Sequence, residues 1–189
     1  MNCEIDIKNA VEVLRQGGVI LYPTDTIWGI GCDAQNEEAV RRVYEIKQRE
    51  DSKALICLVD SANRMQRYFR QVPEVAWDLI EYAERPLTLI LDDAVNVAPN
   101  LLAADGSLGI RVTKEQFSQQ LCYRFQRALV STSANLSGQP SPRSFYDIPE
   151  EIKSKVDYIV LFARGRKSDG RPSSIIKLAN DGTVTVIRR

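Results

Sequence analysis

Patterns typical of helices and of buried strands alternate along the chain, and this alternation constrains the fold more than any other feature. Apolar residues recur at helical spacing from Ile7 to Leu14, and the short apolar run that follows is halted by Pro23. The sequence predicts helices at 7–17, 36–47, 62–70, 74–82 and 116–127, and strands at 19–22, 28–32, 54–59, 87–91, 108–112, 128–131, 158–161, 174–178 and 184–187. Such interleaving indicates a layered α/β domain.

The length of 189 residues is that of one ordinary domain. No internal repeat, low-complexity tract or change of composition marks a boundary, so we expect a single domain over residues 1–189. The irregular connections at 92–107 and 133–148 do not fit a regular series of parallel strands and crossover helices. The sheet is therefore predicted to be mixed.

Charge and histidine content exclude several classes of function. The chain has 25 Lys and Arg against 25 Asp and Glu, so any polyanion that it binds must be met by a local patch of cations. It contains 0 histidines, which removes Ser-His-Asp and Cys-His catalysis and His-ligated zinc. The chemistry has to be carried by other side chains.

The cysteines and the N-terminal segment indicate a reducing, non-membrane setting. The 4 cysteines, Cys3, Cys32, Cys57 and Cys122, form no C-x-x-C pair and are expected to be small buried apolar residues. The first residues carry two acids and no apolar run, which argues against a signal peptide, and no stretch is apolar enough to span a membrane. We expect a cytoplasmic protein.

A first candidate site is the cationic segment 47–53, which follows a predicted helix and precedes a predicted strand. Lys47, Arg49 and Lys53 could converge there on one multivalent anion, because Arg forks onto two phosphate oxygens and Lys adds a mobile charge. A solvated helix end explains the same residues. If the segment does bind phosphate, we expect Lys47 and Arg49 at the edge of a cleft, with little core around them.

A second candidate is the hydroxyl- and amide-rich segment 131–138 that follows the predicted strand 128–131. Its side chains include Ser131, Ser133 and Asn135, and a loop of such donors and acceptors at a strand's end can grip phosphate or a small polar ligand. An Asx or ST turn that satisfies its own backbone is the alternative.

The third candidate, 164–174, combines four cations with one acid and two glycines and leads into a strand. This patch could hold phosphate or RNA despite the neutral net charge, or it could be an exposed loop. Without histidine or an activated nucleophile, the three segments suit positioning and charge neutralisation. Those are the requirements of phosphoryl or nucleotidyl transfer.

Taken together, the motifs resemble the successive signatures of the YrdC/TsaC family. The matching segments are 22–33, the K-x-R of 47–49 and the S-x-N of 131–138, supported by 85–91, 109–112 and 172–176. The resemblance covers nearly the whole chain. It implies the short single-domain form and a three-layer α/β domain, with a twisted mixed β-sheet of about seven strands flanked by helices.

Members of this family make threonylcarbamoyl-adenylate and pyrophosphate from L-threonine, bicarbonate or CO2, and ATP, for the threonylcarbamoyl modification of tRNA. The resemblance implies ATP binding with Mg²⁺ as the accompanying ion and no metal site of the protein's own. It assigns ATP to Lys47, Arg49, Lys53, Ser107, Ser133, Asn135, Ser141 and Arg188, with Lys47 and Arg49 catalytic, and L-threonine to Thr26, Arg111, Ser131 and Ser174.

The partners implied are ATP, L-threonine and bicarbonate, with tRNA and a downstream threonylcarbamoyl-transfer complex as further candidates. Because the net charge is zero, we expect only weak RNA binding that falls steeply with salt. Two alternatives remain open at this point. They are a nonenzymatic RNA-binding protein with a basic concave face, and an enzyme that forms carbamoyl-adenylate.

Overall fold

The structure is a computed structural model that describes residues 3–48 and 55–189. Its helices are α1 (Cys3–Arg15), α2 (Glu37–Lys47), α3 (Ala62–Met65), α4 (Val75–Tyr82), α5 (Gln116–Phe125) and α6 (Glu150–Lys153). Its strands are β1 (Ile20–Tyr22), β2 (Gly29–Gly31), β3 (Ile56–Val59), β4 (Leu87–Leu91), β5 (Leu108–Val112), β6 (Leu129–Ser133), β7 (Tyr158–Ile159), β8 (Ser174–Leu178) and β9 (Val184–Arg188). The predicted α/β class is confirmed.

All the strands of the described ranges belong to one mixed sheet, in the order β7-β1-β2-β6-β3-β5-β4-β8-β9. Parallel pairing joins β1 to β7, β3 to β5 and β4 to β8, and the other neighbours run antiparallel. The sheet has 9 strands, the number that the sequence pattern predicts, rather than the about seven that the family resemblance implies. The two-residue β7 and the exposed hairpin strand β9 form its two edges.

Helix α2 illustrates how local sequence sets an element's limits. Asn36 caps its N-terminus by accepting a hydrogen bond from the backbone N–H of Ala39 at 3.0 Å, as predicted for this residue type. At the other end Gln48 adopts a left-handed conformation with φ 50°, which terminates the helix after Lys47. By contrast, the predicted helix at 62–70 is broken, because α3 tightens into a 3-10 turn over Gln66–Tyr68.

The core lies between the central strands and the helices on both faces. Helix α1 packs against α5, which in turn contacts β3, and α3 contacts β3 and β5. Cys32, Cys57 and Cys122 are fully buried in this core, and burial raises the pKa of the Cys57 thiol to about 12. Among the described helices, none is both long and apolar enough to cross a bilayer.

Strand register brings the residues of the candidate site onto one face of the sheet. Ile56 of β3 pairs with Gly109 of β5 on one side and with Ser131 of β6 on the other. Two residues along, Leu58 of β3 pairs with Arg111. Because alternate residues of a strand point to the same face, Arg111 and Ser131 share a face although they lie on strands separated by β3.

Candidate functional site

A cleft of about 240 Å³ opens on this face of the sheet, between the turn after β1 and the segment that leads into β8. The sequence-predicted residues that line it are Thr26, Arg111, Ser131, Ser133, Ser141 and Arg188. Both predicted sets, the one for ATP and the one for L-threonine, are represented. The structure therefore gathers residues from distant parts of the chain into one cavity.

Arg111 is the most deeply placed cation of this cleft, with 4% of its side chain exposed. Its Nη2 lies 3.1 Å from Oδ1 of Asp25. That oxygen accepts no hydrogen bond within the described structure, so the contact is an ion pair rather than a hydrogen bond. The Nε of Arg111 is also buried and has no partner among the described residues, although a buried N–H usually finds one.

Arg188 brings a second guanidinium to the same cleft from the end of β9. Its Nε donates to the carbonyl oxygen of Ser173 at 2.8 Å, which fixes the side chain across β8. Burial and the nearby charge of Arg111 lower the pKa of Arg188. Two guanidiniums are thus close enough to repel each other, and a bound anion would relieve that repulsion.

Hydroxyl groups surround the two cations. Thr24 Oγ1 donates to the carbonyl of Ile27 at 2.7 Å and lies 3.1 Å from Thr26 Oγ1, so the turn after β1 is held by its own side chains. On the opposite wall, the buried Tyr22 hydroxyl donates to the Val130 carbonyl at 3.3 Å. Burial raises the pKa of Tyr22, and the neighbouring Ser131 hydroxyl lowers it by a smaller amount. These groups can orient a small polar ligand beside Arg111.

Lys47 does not lie at the edge of the cleft, and that prediction is wrong. Its side chain is 2% exposed, and its Nζ donates to the backbone carbonyls of Ser133 and, at 2.7 Å, Asn135. The physical reason is that the loop after β6 folds over the last turn of α2, where the Ser137 N–H also donates to the Lys47 carbonyl at 3.0 Å. Lys47 therefore fixes the shape of that loop.

Asn135 likewise holds the loop rather than the cleft. Its Nδ2 donates to the carbonyls of Leu136 at 2.9 Å and Gln139 at 2.8 Å. The segment 131–138 thus combines both readings of its sequence, since Ser131 and Ser133 line the cleft while Asn135 satisfies the backbone. Arg49 and Lys53 lie outside the described residues, and their assignments stay predictions.

Ser107 and Ser174 are not among the residues that line the cleft. Ser107 directly precedes β5 and lies four residues, or about 13 Å along the chain, before Arg111 on the same sheet face. Its hydroxyl donates to Asp105 at 2.6 Å. Ser174 points to the other face, where it borders a groove beside α4, because side chains alternate along β8. Its neighbour Ser173 takes the position in the cleft.

The basic segment 164–174 is anchored to the protein rather than extended into solvent. The Ser168 hydroxyl donates to the Thr26 carbonyl, and the Ser168 N–H donates to the Arg143 carbonyl at 2.8 Å. Arg164 lies 4.5 Å from the ring centroid of Phe145 and donates to the Val160 carbonyl at 3.0 Å. The segment therefore forms one wall beside the turn after β1, and Arg164 is used for packing.

Sequence reasoning missed two residues of the site, Asp25 and Ser173. Both lie within segments that carried the family resemblance, 22–33 and 172–176, but neither residue type distinguished itself there. Asp25 is identified by its charge contact with a buried arginine, which needs coordinates. Ser173 could have been found from strand parity, since only one of two adjacent serines can face a given side of a sheet.

The described part of the chain is an α/β protein with a mixed nine-stranded sheet, and one cleft on that sheet gathers two guanidiniums and a set of hydroxyls. This combination is typical of α/β proteins that bind anions. The family model Sua5/YciO/YrdC, described as "Telomere recombination", matches residues 12–189. The chain belongs to this family.

Known relatives and solved structures agree with that membership. The chain is 34% identical over 163 residues to the threonylcarbamoyl-AMP synthase of Pseudoalteromonas translucida, covering 85% of this chain and 87% of that protein. E. coli YciO superposes with a TM-score of 0.85 at 28% identity, covering 100% of this chain and 90% of that one. P. abyssi Sua5 complexed with L-threonine gives 0.83 at 29% identity, covering 91% of this chain but 50% of Sua5.

Proposed function

We propose that the protein is an L-threonylcarbamoyladenylate synthase, a nucleotidyltransferase that converts L-threonine, bicarbonate or CO2, and ATP into threonylcarbamoyl-AMP and pyrophosphate. The observation that carries the proposal is the cleft in which Arg111, nearly buried and paired through Nη2 with Asp25, lies among the hydroxyls of Thr26 and Ser131. The carboxylate of an amino acid is planar and matches a guanidinium. Relatives that carry the name threonylcarbamoyl-AMP synthase support the choice of amino acid.

On the threonine side, Arg111 would hold the carboxylate, and the hydroxyls of Thr26 and Ser131 would orient the rest of the amino acid. Ser174 is left out of this set because its side chain points away from the cleft. Ser173 replaces it on geometric grounds, although its hydroxyl already lies 2.9 Å from Thr88 Oγ1. The amino group would then point along the cleft, where it can carry the carbamate.

On the nucleotide side, Ser133, Ser141 and Arg188 would contact ATP, with Asn135 and Lys47 shaping the loop beneath them. The carbamate oxygen would attack the α-phosphorus as pyrophosphate departs on the opposite side, so bond formation and cleavage occur at one phosphorus atom. Nearby cations stabilise the charge that builds there. Arg49, Lys53 and Ser107 remain predicted contacts of the triphosphate.

Mg²⁺ would enter with ATP. Within 3–48 and 55–189, no group of three or more His, Cys, Asp or Glu side chains is placed to hold a metal ion. Bound with ATP, Mg²⁺ would neutralise phosphate charge. A tRNA and a complex that transfers the threonylcarbamoyl group are the partners that would use the product.

Pyrophosphate release from ATP tests the proposal directly. We expect release when L-threonine and bicarbonate are both present, and little release with L-serine or without an amino acid. Release that needs a carbamoyl donor such as carbamoyl phosphate, in place of L-threonine and bicarbonate, would indicate a carbamoyl-adenylate-forming enzyme. No release, combined with RNA binding that survives added salt, would indicate the nonenzymatic alternative.

The cations assigned from the sequence can be tested in the same assay. If Arg49 grips phosphate through its planar fork, Arg49→Lys should lower turnover by on the order of tenfold or more while the protein stays folded. The matched control is Arg41→Lys, because Arg41 is an exposed arginine of α2 whose guanidinium contacts Glu38. Turnover of the Arg49 variant equal to that of the control would remove Arg49 from the site.

A further inference from the structure

Asp25 is a nearly buried carboxylate that contacts the cleft only through Arg111. Its side chain is 10% exposed, and its Oδ1 lies 3.1 Å from Arg111 Nη2. Asp25 does not line the cleft that contains Arg111 and Ser131, but it borders the two cavities on either side of the segment around Arg166. It therefore lies behind the arginine and out of reach of a ligand in the cleft.

The chain places this carboxylate firmly. Asp25 sits in the turn after β1 between Thr24 and Thr26, whose hydroxyls are 3.1 Å apart and whose backbone is tied to the Thr24 side chain. Thr113, directly after β5, lies close enough to Asp25 to lower the pKa of that carboxyl, although burial raises it by more. Because β5 also carries Arg111, the carboxylate is fixed relative to the strand that bears the guanidinium.

We propose that Asp25 is a positioning residue for substrate binding: it holds the Arg111 guanidinium at Nη2 so that this side chain keeps its place in the cleft wall, where it can meet the carboxylate of the amino acid. This inference rests on the proposed function. The side chain of arginine has several rotatable bonds, and fixing one end of its planar fork reduces the freedom lost when the other end binds. The expected gain is in affinity for the amino acid.

Two effects of Asp25 on the amino acid carboxylate have opposite signs, and this makes the role testable. Asp25 and the carboxylate of the amino acid are both negative, and both are attracted to Arg111. A purely electrostatic role therefore predicts tighter binding of the amino acid after Asp25 is neutralised. As an anchor it orients the guanidinium, so a positioning role predicts weaker binding. With Asp25 neutralised, Arg111 would also face Arg188 without a counter-ion, which favours displacement of the Arg111 side chain.

The experiment measures L-threonine binding by calorimetry for the unchanged protein, Asp25→Asn and Asp25→Glu, with melting recorded on the same samples. For Asp25→Asn we expect the dissociation constant to rise by about tenfold or more, as is usual when one partner of a buried ion pair is removed. Asp25→Glu keeps the charge and should recover part of the affinity. In turnover, the KM for L-threonine should rise while the KM for ATP changes by less than about twofold.

Asp33→Asn is the matched control, because Asp33 is a buried carboxylate paired with Arg127 at 2.7 Å and does not line the cleft. It should leave threonine affinity unchanged even if it lowers the melting temperature. Equal or tighter threonine binding by Asp25→Asn would overturn the positioning role while leaving the proposed function intact. Absence of threonine binding by the unchanged protein would overturn both.

Discussion

Lys47 and Arg111 are both buried cations beside the loop and strands of the candidate site, yet their surroundings differ. The Lys47 ammonium donates to two backbone carbonyls of the loop after β6. Arg111 meets a carboxylate on one side, and its Nε has no partner in the described part of the chain. The hydrogen bonds that each buried cation already makes therefore indicate its role: Lys47 holds the loop in place, whereas Arg111 can still bind a ligand.

The largest expected effect is on Lys47, and it concerns folding. Lys47→Met keeps much of the side-chain volume but removes the donor to the Asn135 carbonyl, whereas the Ser133 carbonyl keeps the hydrogen bond from the Asn135 N–H at 2.9 Å. An unsatisfied buried carbonyl costs about 1–3 kcal/mol, so the free energy of unfolding should fall by about that amount. The melting temperature should fall by roughly 2–10 °C.

Lys155→Met serves as the control for Lys47, since the Lys155 side chain is 44% exposed and forms a surface ion pair with Glu151. Its melting temperature should change little. If the Lys47 variant had the same melting temperature as this control, the Lys47 ammonium would contribute no more to stability than an exposed lysine at a helix end.

The next largest effect is expected for Arg111→Lys, and it concerns binding. Lysine keeps the positive charge but cannot present the planar fork, so affinity for L-threonine should fall by about 10- to 100-fold with only a small change in melting temperature. Calorimetry is the measurement. Arg127→Lys is the control, because it alters an arginine–aspartate pair that does not line the cleft. Unchanged threonine affinity in Arg111→Lys would contradict the distinction drawn between Lys47 and Arg111.

Arg188→Lys should have a smaller effect, because this residue lies on the exposed strand β9 and donates to the Ser173 carbonyl, a contact that lysine can partly replace. We expect the KM for ATP to rise by up to about tenfold, and the melting temperature to stay nearly constant. Steady-state kinetics with ATP varied checks this. A rise confined to the KM for L-threonine would move Arg188 to the amino acid side of the cleft.

The smallest effect is expected at the surface pair of Lys177 and Asp105, whose Nζ and Oδ2 lie 2.7 Å apart. The hydrogen bond from Lys177 lowers the pKa of Asp105. The ionised pair therefore stabilises the folded protein fully at pH values above the ordinary pKa of aspartate, and this stabilisation is lost as the pH falls through the lowered pKa. Because both groups are solvent-exposed, Lys177→Met should cost less than about 1 kcal/mol at neutral pH.

Denaturant unfolding of this variant and the unchanged protein at neutral and acid pH is the measurement. The difference in unfolding free energy should shrink as the solution is acidified, since protonation of Asp105 removes the pair from the unchanged protein and the variant has no pair to lose. A difference that grows towards acid pH would show that Lys177 acts through another group.

The sequence was sufficient for the class of fold and for the limits of elements with strong local signals. Asn36 marks the start of α2 because its side chain caps a helix directly, and the alternation of patterns predicts the layers. Each of the nine strands, including the edge strands β7 and β9, overlaps a segment that the sequence pattern predicts as a strand, and the smaller number of about seven came from the family resemblance.

The site was predicted only in part, for physical reasons visible in single residues. Arg111 and Ser131 lie 20 positions apart in sequence numbering but share a sheet face through β3, which the family motifs captured. Burial of Lys47 could not be read from its neighbours in sequence, because the loop that covers it comes from 133–137. Asp25 was missed for the same reason, since its partner Arg111 lies on β5.

A crystal structure with L-threonine bound is the most direct test of the contrast between the two cations. We expect the carboxylate of threonine to accept a hydrogen bond from the Arg111 guanidinium while Asp25 stays paired with Nη2 and Lys47 stays on the carbonyls of Ser133 and Asn135. Threonine bound with its carboxylate away from Arg111, or with Lys47 released from the loop to meet it, would contradict the distinction between the two cations.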